Sequence, residues 1–426
     1  MPSVGAFPSA RLPACRATHL LRLRLTLSLS QVPTRDQIDA YLSQADSGQA
    51  TPMTATSISY RISALGQVSK AFTSRQMSEH AQGAAIAVAW GSITERVMRA
   101  VASYPDRLDV HAKAVFFLHR MVSVLHMQLI SAEALPRLLS LLLQPASGAA
   151  QNTVSEGCRA FCDVAVLLGN MAAQFQSAAS PLLAAILPQI LASNELIAGV
   201  QAMGATRAAS SAAPASPQGS EIAIGGPAEE LRERLDVRKA TWVLLGNLMS
   251  SELDTLLGAA ALGSQDTLPA VLGAALATTA EVPPDLEECK IVFRLFLFMV
   301  RKWGGGANAA EEEQQRPGFK RWVFDTMTAT GLLLVLSPTF SLADAQTTLV
   351  TYEIAKVQRA AAMVYGEEYV RYIVGVSLPA VGIPADCAQA VQYAELLAAP
   401  DGIGHERAFR SFFRRLMDSR KNTASC

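Results

Sequence analysis

Helical periodicity, with almost no competing strand signal, is the feature that most constrains this chain. From Ser57 onward apolar residues recur at three- and four-residue steps, first as Ile58, Ile62, Leu65, Val68 and Phe72. Further segments of this kind cover about Ala84–Ala102, Val110–Leu129, Leu135–Leu143, Cys158–Phe175 and Pro181–Ala192. After a break they resume at Glu229. They continue as Arg238–Ser250, Thr267–Ala277, Asp285–Lys302, Phe319–Leu336, Leu342–Met363, Glu367–Val374, Cys387–Leu397 and His405–Lys421, separated by Pro or Gly. The units recur at roughly 40 residues with drift, the spacing of divergent HEAT-type repeats. The expected fold is all-α: an α-solenoid of HEAT-like antiparallel helix pairs. Such pairs bury one face against each neighbour and offer a long surface to a large ligand.

Composition marks the interruptions. Residues 1–56 read as a disordered or non-native N-terminal segment. The first 35 carry Arg11, Arg16, Arg22, Arg24 and Arg35 with no acid before Asp36. An organelle transit peptide and the misjudged start of a longer chain both fit that pattern. Residues 57–204 read as helical repeats. Residues 205–228 are a disordered insertion of Ala, Ser, Pro and Gly, too poor in apolar surface to order itself. Residues 229–422 read as a second run of HEAT-like repeats. Within it Gly304–Gly318, with Glu311, Glu312 and Glu313, reads as a solvent loop.

The side chains point away from chemistry. Of the six cysteines only Cys158 and Cys162 share a helix face, and no second ligand pair accompanies them. His111, His119 and His126 lie in one helical region without an acidic partner. Gly304-Gly305-Gly306 lacks the Lys-Ser/Thr of a phosphate loop, and no GxSxG occurs. The reading is a non-enzyme with no cofactor, no metal and no catalytic residue. The apolar runs Ser180–Val200 and Leu256–Ala280 are broken by Pro188 and Pro269 and by polar residues, so no membrane insertion is expected.

Charge balances at 36 basic and 36 acidic residues, so any contact with nucleic acid needs a local patch. One candidate stands out. In His405–Lys421, Phe409, Phe412, Phe413 and Leu416 form an apolar stripe, while Arg407, Arg410, Arg414 and Lys421 gather within roughly 60° on the far side. Arg415 adds to the set. Such a face suits the phosphates of a double-stranded stem. An ordinary solvated face, with basic residues at a helix C-terminus, has the same pattern.

Short collinear blocks then point to a family. Phe340-Ser341-Leu342-Ala343-Asp344-Ala345-Gln346-Thr347 resembles the F-D-L-A-D-A-Q-T segment near the end of exportin-T, with Ser341 in place of Asp. Trp303-Gly304-Gly305 and Pro317-Gly318-Phe319 resemble that family's W-G-G … G-F junction. Phe117-Leu118-His119-Arg120-Met121 is similar to its F-L-H-R-M helix, and Ser69-Lys70-Ala71-Phe72 to its S-K-G-F. Ala408–Phe413 sits where the family has a terminal helix with paired aromatics. The resemblance spans about residues 57–421 and implies a karyopherin-β solenoid that exports transfer RNA from the nucleus. It implies Ran-GTP as a cooperative partner, through an N-terminal arch that this chain, read as a C-terminal part, is expected to lack. It also implies contact with nucleoporins, a monomeric carrier, shuttling between nucleus and cytoplasm, and release of tRNA after GTP hydrolysis. It gives His119 and Arg120 a structural role. The alternatives are a helical-repeat scaffold that binds proteins only, and an importin-type carrier of protein cargo.

Overall fold

The computed structural model describes residues 36–44, 46–47, 51–70, 83–105, 107–125, 139, 153–192, 227–258, 262, 267–281, 284–305, 316–399 and 404–424. Residues 1–35, His126, most of 205–228 and the triple-Glu segment 306–315 lie outside these, as do Ala71 and Phe72. The chain divides into two compact units, Met1–Glu156 and Gly157–Cys426. Among the described residues every regular element is helical, and each unit is a layered stack of the α-solenoid kind.

In the first unit, α1 (36–44) precedes α2 (Pro52–Ser69), α3 (Gly83–Ser103) and α4 (Leu108–Leu125). Thr51 and Thr54 form a reciprocal capping pair that opens α2. Helices α2 and α4 are the most closely packed pair. The polar links of α2 to α4 and to the turn before it span about one repeat: Ser59 Oγ donates to the Asp109 carbonyl at 3.1 Å, fifty residues away, and Tyr104 Oη to Thr54 Oγ1 at 3.3 Å. Contacts that advance together along both helices make α2 and α4 parallel, with α3, which packs on α4, as the connecting helix. Phe117, Leu118 and Met121 are buried; His119 and Arg120 are half-buried on the same helix. His111 is buried and shares a hydrogen bond with the Tyr104 carbonyl, as a core histidine does.

The second unit contains α5 (Thr153–Phe175, entering from the first), α6 (Ser180–Ala192), α7 (Pro227–Ser250), α8 (Thr267–Thr279), α9 (Leu286–Trp303), α10 (Phe319–Leu336), α11 (Ala345–Tyr365), α12 (Glu367–Ala380), α13 (Ala388–Ala398) and α14 (His405–Ala424). Helix α9 shows why such segments fold this way. Asp285 accepts from the Glu288 amide at 2.9 Å, Glu287 and Glu288 fill the first turn, and Arg301 and Lys302 the last. Its apolar side runs through Val292, Phe293, Phe296, Met299 and Val300. Aromatic pairs Trp303–Phe319 and Phe296–Trp322 close α9 against α10 as an antiparallel pair. Helices α7, α9 and α11 lie side by side in one layer. Links 242–288 and 254–303, then 294–353 and 304–364, advance in step, so the three run parallel.

Two details depart from regular helices. Both α10 and α12 contain a π turn, at Val323–Met327 and Ile373–Ser377. In α10 the widened turn is held by Thr328 Oγ1, which donates to the Val323 carbonyl five residues back at 2.8 Å and bonds Tyr369 Oη at 2.8 Å. Tyr372 reaches from α12 to Asp325, tying the second helix to the first. Residues expected to begin α11 at Leu342 form a turn instead, because Asp344 caps the helix.

Candidate nucleic-acid interface

Helix α14 carries the basic residues singled out by sequence, and its apolar stripe is what seats it. Phe409, Phe412, Phe413 and Leu416 are all buried. The first three ring Tyr393 of α13 at centroid distances of 5.2–5.7 Å. Tyr393 hydrogen-bonds Gln358 of α11, and burial pushes its phenol well above its ordinary pKa. Two polar links tie α14 to α11 and its preceding turn. Arg359, buried on α11, donates from Nη1 to His405 Nδ1 at 3.1 Å. Arginine cannot accept a hydrogen bond, so Nδ1 is the bare nitrogen of a neutral imidazole.

The second link involves one of the candidates. Arg410 donates from Nη2 and Nε to the Leu342 carbonyl, at 2.8 and 3.3 Å. That carbonyl sits in the turn before α11, where Asp344 Oδ2 accepts from the Gln346 amide at 2.7 Å and from the Thr347 amide at 3.4 Å. Thr347 Oγ1 returns a bond to the Asp344 carbonyl at 3.0 Å. With Phe340 and Leu342 buried beneath, the block Phe340–Thr347 is a helix cap that also anchors α14.

The candidates therefore separate. Arg407 and Arg414 are exposed on the outer face, with Asp418 on the same side one turn beyond Arg414. Arg410, half-buried at the edge, serves the Leu342 carbonyl. Arg415 is exposed on the opposite flank, where with Val391, Glu395, Phe412 and Leu416 it lines an open groove of about 680 Å³ between α13 and α14. The backbone of Lys421 continues α14; its side chain lies outside the described residues.

Cations that sequence reading passed over appear on α9. Lys290, Arg294, Arg301 and Lys302 all reach the surface there. The signal was present as a basic stripe at helical spacing. It was hidden by the apolar residues around it, which mark α9 as a core helix.

Other charged groups are structural. Arg238 and Glu288, both essentially buried, pair at 2.7 Å between α7 and α9, and Trp242 Nε1 donates to Glu288 at 2.9 Å. Burial lifts the Glu288 carboxyl above its ordinary range, with Arg238 pulling the other way. Trp303 Nε1 donates to Asp254 at 3.0 Å while the Arg316 guanidinium lies over its ring at 4.4 Å. Among the described residues no group of three or more His, Cys, Asp or Glu is placed to hold a metal, and no helix is long and apolar enough to cross a membrane.

The glycines of the junction have physical reasons. A Cβ at Gly304 would stand 2.6 Å from Val364 Cγ1 and 2.9 Å from Tyr365 Oη, so the end of α9 meets the end of α11 only through glycine. Gly318 opens α10 at φ +80, a left-handed conformation that favours glycine.

Comparison with known proteins gives these features a context. The Exportin-T family model matches residues 223–421. The chain is 23% identical to Exportin-T of Arabidopsis thaliana over 398 residues, covering 92% of this chain and 36% of the relative. It is 23% identical to Exportin-T of Oryza sativa subsp. japonica, covering 84% of this chain and 32% of the relative. With Exportin-T of Aspergillus niger it shares 29% identity over 182 residues, 40% of this chain and 17% of that one. The chain thus spans about a third of the length of the plant relatives it matches. No solved structure matches it.

Proposed function

The C-terminal half of this chain belongs to the exportin-T family, and from that premise we propose that the protein is a carrier of transfer RNA out of the nucleus. The observation that carries this reading is the family match over residues 223–421, which takes in α7 to α14. A stacked helical repeat suits the task, because it offers extended surface and no reaction centre. In the proposal, tRNA and Ran-GTP favour the same curvature of the solenoid, so each raises the other's affinity. GTP hydrolysis in the cytoplasm removes that support and the RNA leaves. The carrier acts as a monomer, meets nucleoporins during passage, and shuttles between the two compartments.

On α14 the outward charge of Arg407 and Arg414 is assigned to phosphates of a folded stem, with Lys421 along the same helix and Arg415 at the flank. Arg410 stays bonded to Leu342 and holds the helix in place. Binding of this kind reads backbone shape more than base sequence and weakens with salt.

A gel-shift titration of the purified chain with folded tRNA, with and without Ran-GTP, tests the function. Binding of tRNA by the chain alone is expected, with Ran-GTP strengthening it once the preceding arch is supplied. Binding abolished by Ran-GTP points to an importin-type carrier instead, and absence of RNA binding at low salt in either condition refutes the reading. Within it, Arg407→Glu with Arg414→Glu should weaken tRNA binding by at least ~10-fold and flatten the log K against log salt slope by ~1.5. Unchanged binding would remove α14 from the interface.

A further inference from the structure

Helix α9 is enclosed by neighbours on most sides, and what it shows to solvent is a narrow basic edge. Lys290, Ile291 and Phe298 are half-buried; Glu287, Arg294, Arg301 and Lys302 are exposed. At 100° per residue these seven fall within an arc of about 120°. From Lys290 to Arg301 the edge runs about 16 Å along the helix. Apolar Ile291 and Phe298 alternate with the cations.

The charge on this edge is not cancelled by its surroundings. Arg294, 57% exposed, and Lys356 of α11, 38% exposed, share the single carboxylate of Glu353, itself nearly buried. Lys302 stands 3.6 Å from Glu252. Arg301 and Lys290 have no ion-pair partner among the described residues. Glu287, at the start of the edge, is drawn to Lys239 of α7 at 3.3 Å. The other layer contrasts with this: α8 contains no charged residue, and Asp325, Thr326 and Leu333 are the exposed residues in the middle of α10, with no cation among them.

We propose that this edge of α9, extended by Lys356 of α11, is a binding rail for the phosphodiester backbone of a folded RNA. The inference rests on the carrier reading above and adds a site independent of α14. Four cations spread over about 18 Å of rigid helix can meet several phosphates of a folded stem, whose backbone carries charge along its whole length. A half-exposed aromatic among cations is the composition that accommodates sugars and unstacked bases. An acidic protein segment has no use for that aromatic, and the test treats it as the competing occupant.

The test uses the whole 426-residue chain and folded tRNA in fluorescence anisotropy, from 50 to 200 mM salt. The variant is Arg294→Gln with Arg301→Gln and Lys302→Gln, all at exposed positions, with helicity checked by circular dichroism. The expected result is at least a ~10-fold loss of affinity and a salt slope shallower by about 2, because each phosphate no longer neutralised removes about 0.7–0.9 from the slope. A companion variant, Arg294→Lys with Arg301→Lys, keeps the charge and should keep the slope. If the glutamine variant binds tRNA with wild-type affinity and slope while Arg407→Glu/Arg414→Glu is impaired, the rail is refuted and the carrier reading stands. If wild-type protein binds polyglutamate through these residues but no tRNA, both fail.

Discussion

Replacing Glu288 by alanine removes one carboxylate from the interface of α7 and α9 and leaves two groups stranded. Arg238 is 2% exposed and Glu288 1%. The guanidinium loses its 2.7 Å bond to Glu288 but keeps Glu281, 2.6 Å from Nη1. Breaking a buried pair costs about 3–5 kcal/mol, and the surviving Glu281 places the cost near the lower end, ~3 kcal/mol. Trp242 Nε1 loses the carboxylate it donates to, adding ~1–2 kcal/mol. The single substitution should therefore destabilise the second unit by ~4–5 kcal/mol. Arg238→Met, which strands the buried carboxylate, should cost ~3–5 kcal/mol. The double variant Arg238→Met/Glu288→Leu strands the indole and frees Glu281, which is 28% exposed and can be solvated, so it should cost ~1–2 kcal/mol. Urea unfolding followed by tryptophan fluorescence measures all three. A Trp90→Phe background confines the signal to Trp242, Trp303 and Trp322, all in the second unit. The cycle should fall short of additivity by at least ~3 kcal/mol. An additive double variant, or a Glu288→Ala cost below ~1 kcal/mol, would refute the view that the pair is costly to break yet dispensable as a pair.

Two further outcomes follow from the same layer. Gly304→Ala places a methyl group 2.6 Å from both the Val300 carbonyl and Val364 Cγ1, so stability should fall by ~1–3 kcal/mol, read as a lower melting temperature; an unchanged one would mean the ends of α9 and α11 are not closely apposed. Burial works to raise the pKa of Asp285, but the Glu288 amide and Lys239 outweigh it and hold the carboxyl below 3.8, so its stabilisation is present above that value and lost as pH falls through the lower folded one; Asp285→Asn should flatten the acid limb of stability below pH 3.8, and a limb of unchanged slope would exclude it as a contributor.

Particular elements show what was legible in sequence. The stripe Phe409, Phe412, Phe413 and Leu416 faces inward, as its spacing requires, because helical periodicity is a property of neighbouring residues on one helix. Ile354 and Val357 are buried for the same reason, while Leu342 is buried from the turn before α11. The π turns of α10 and α12 were not legible: Val323–Met327 has the composition of ordinary helix. Its widened turn accompanies a hydroxyl relay from Thr328 to Tyr369, 41 residues away. The start of α11 was placed three residues early because the apolar Leu342 continues the pattern while Asp344 ends it by capping.

The charged residues of α14 mark the boundary most clearly. Sequence alone determined that this helix has an apolar seat and a basic far side, and that the chain around it is a stack of helices, since both follow from local spacing. Tertiary structure decided which arginines point to solvent. Arg410 differs from Arg407 and Arg414 in nothing that composition records; it is held because the Leu342 carbonyl, 68 residues earlier, lies beside it. The same holds for α9, whose cations become an exposed edge only when neighbouring helices cover the rest of it. A side chain's neighbours along a helix are set by its place in the chain, whereas its partners across a layer are set by how distant segments pack.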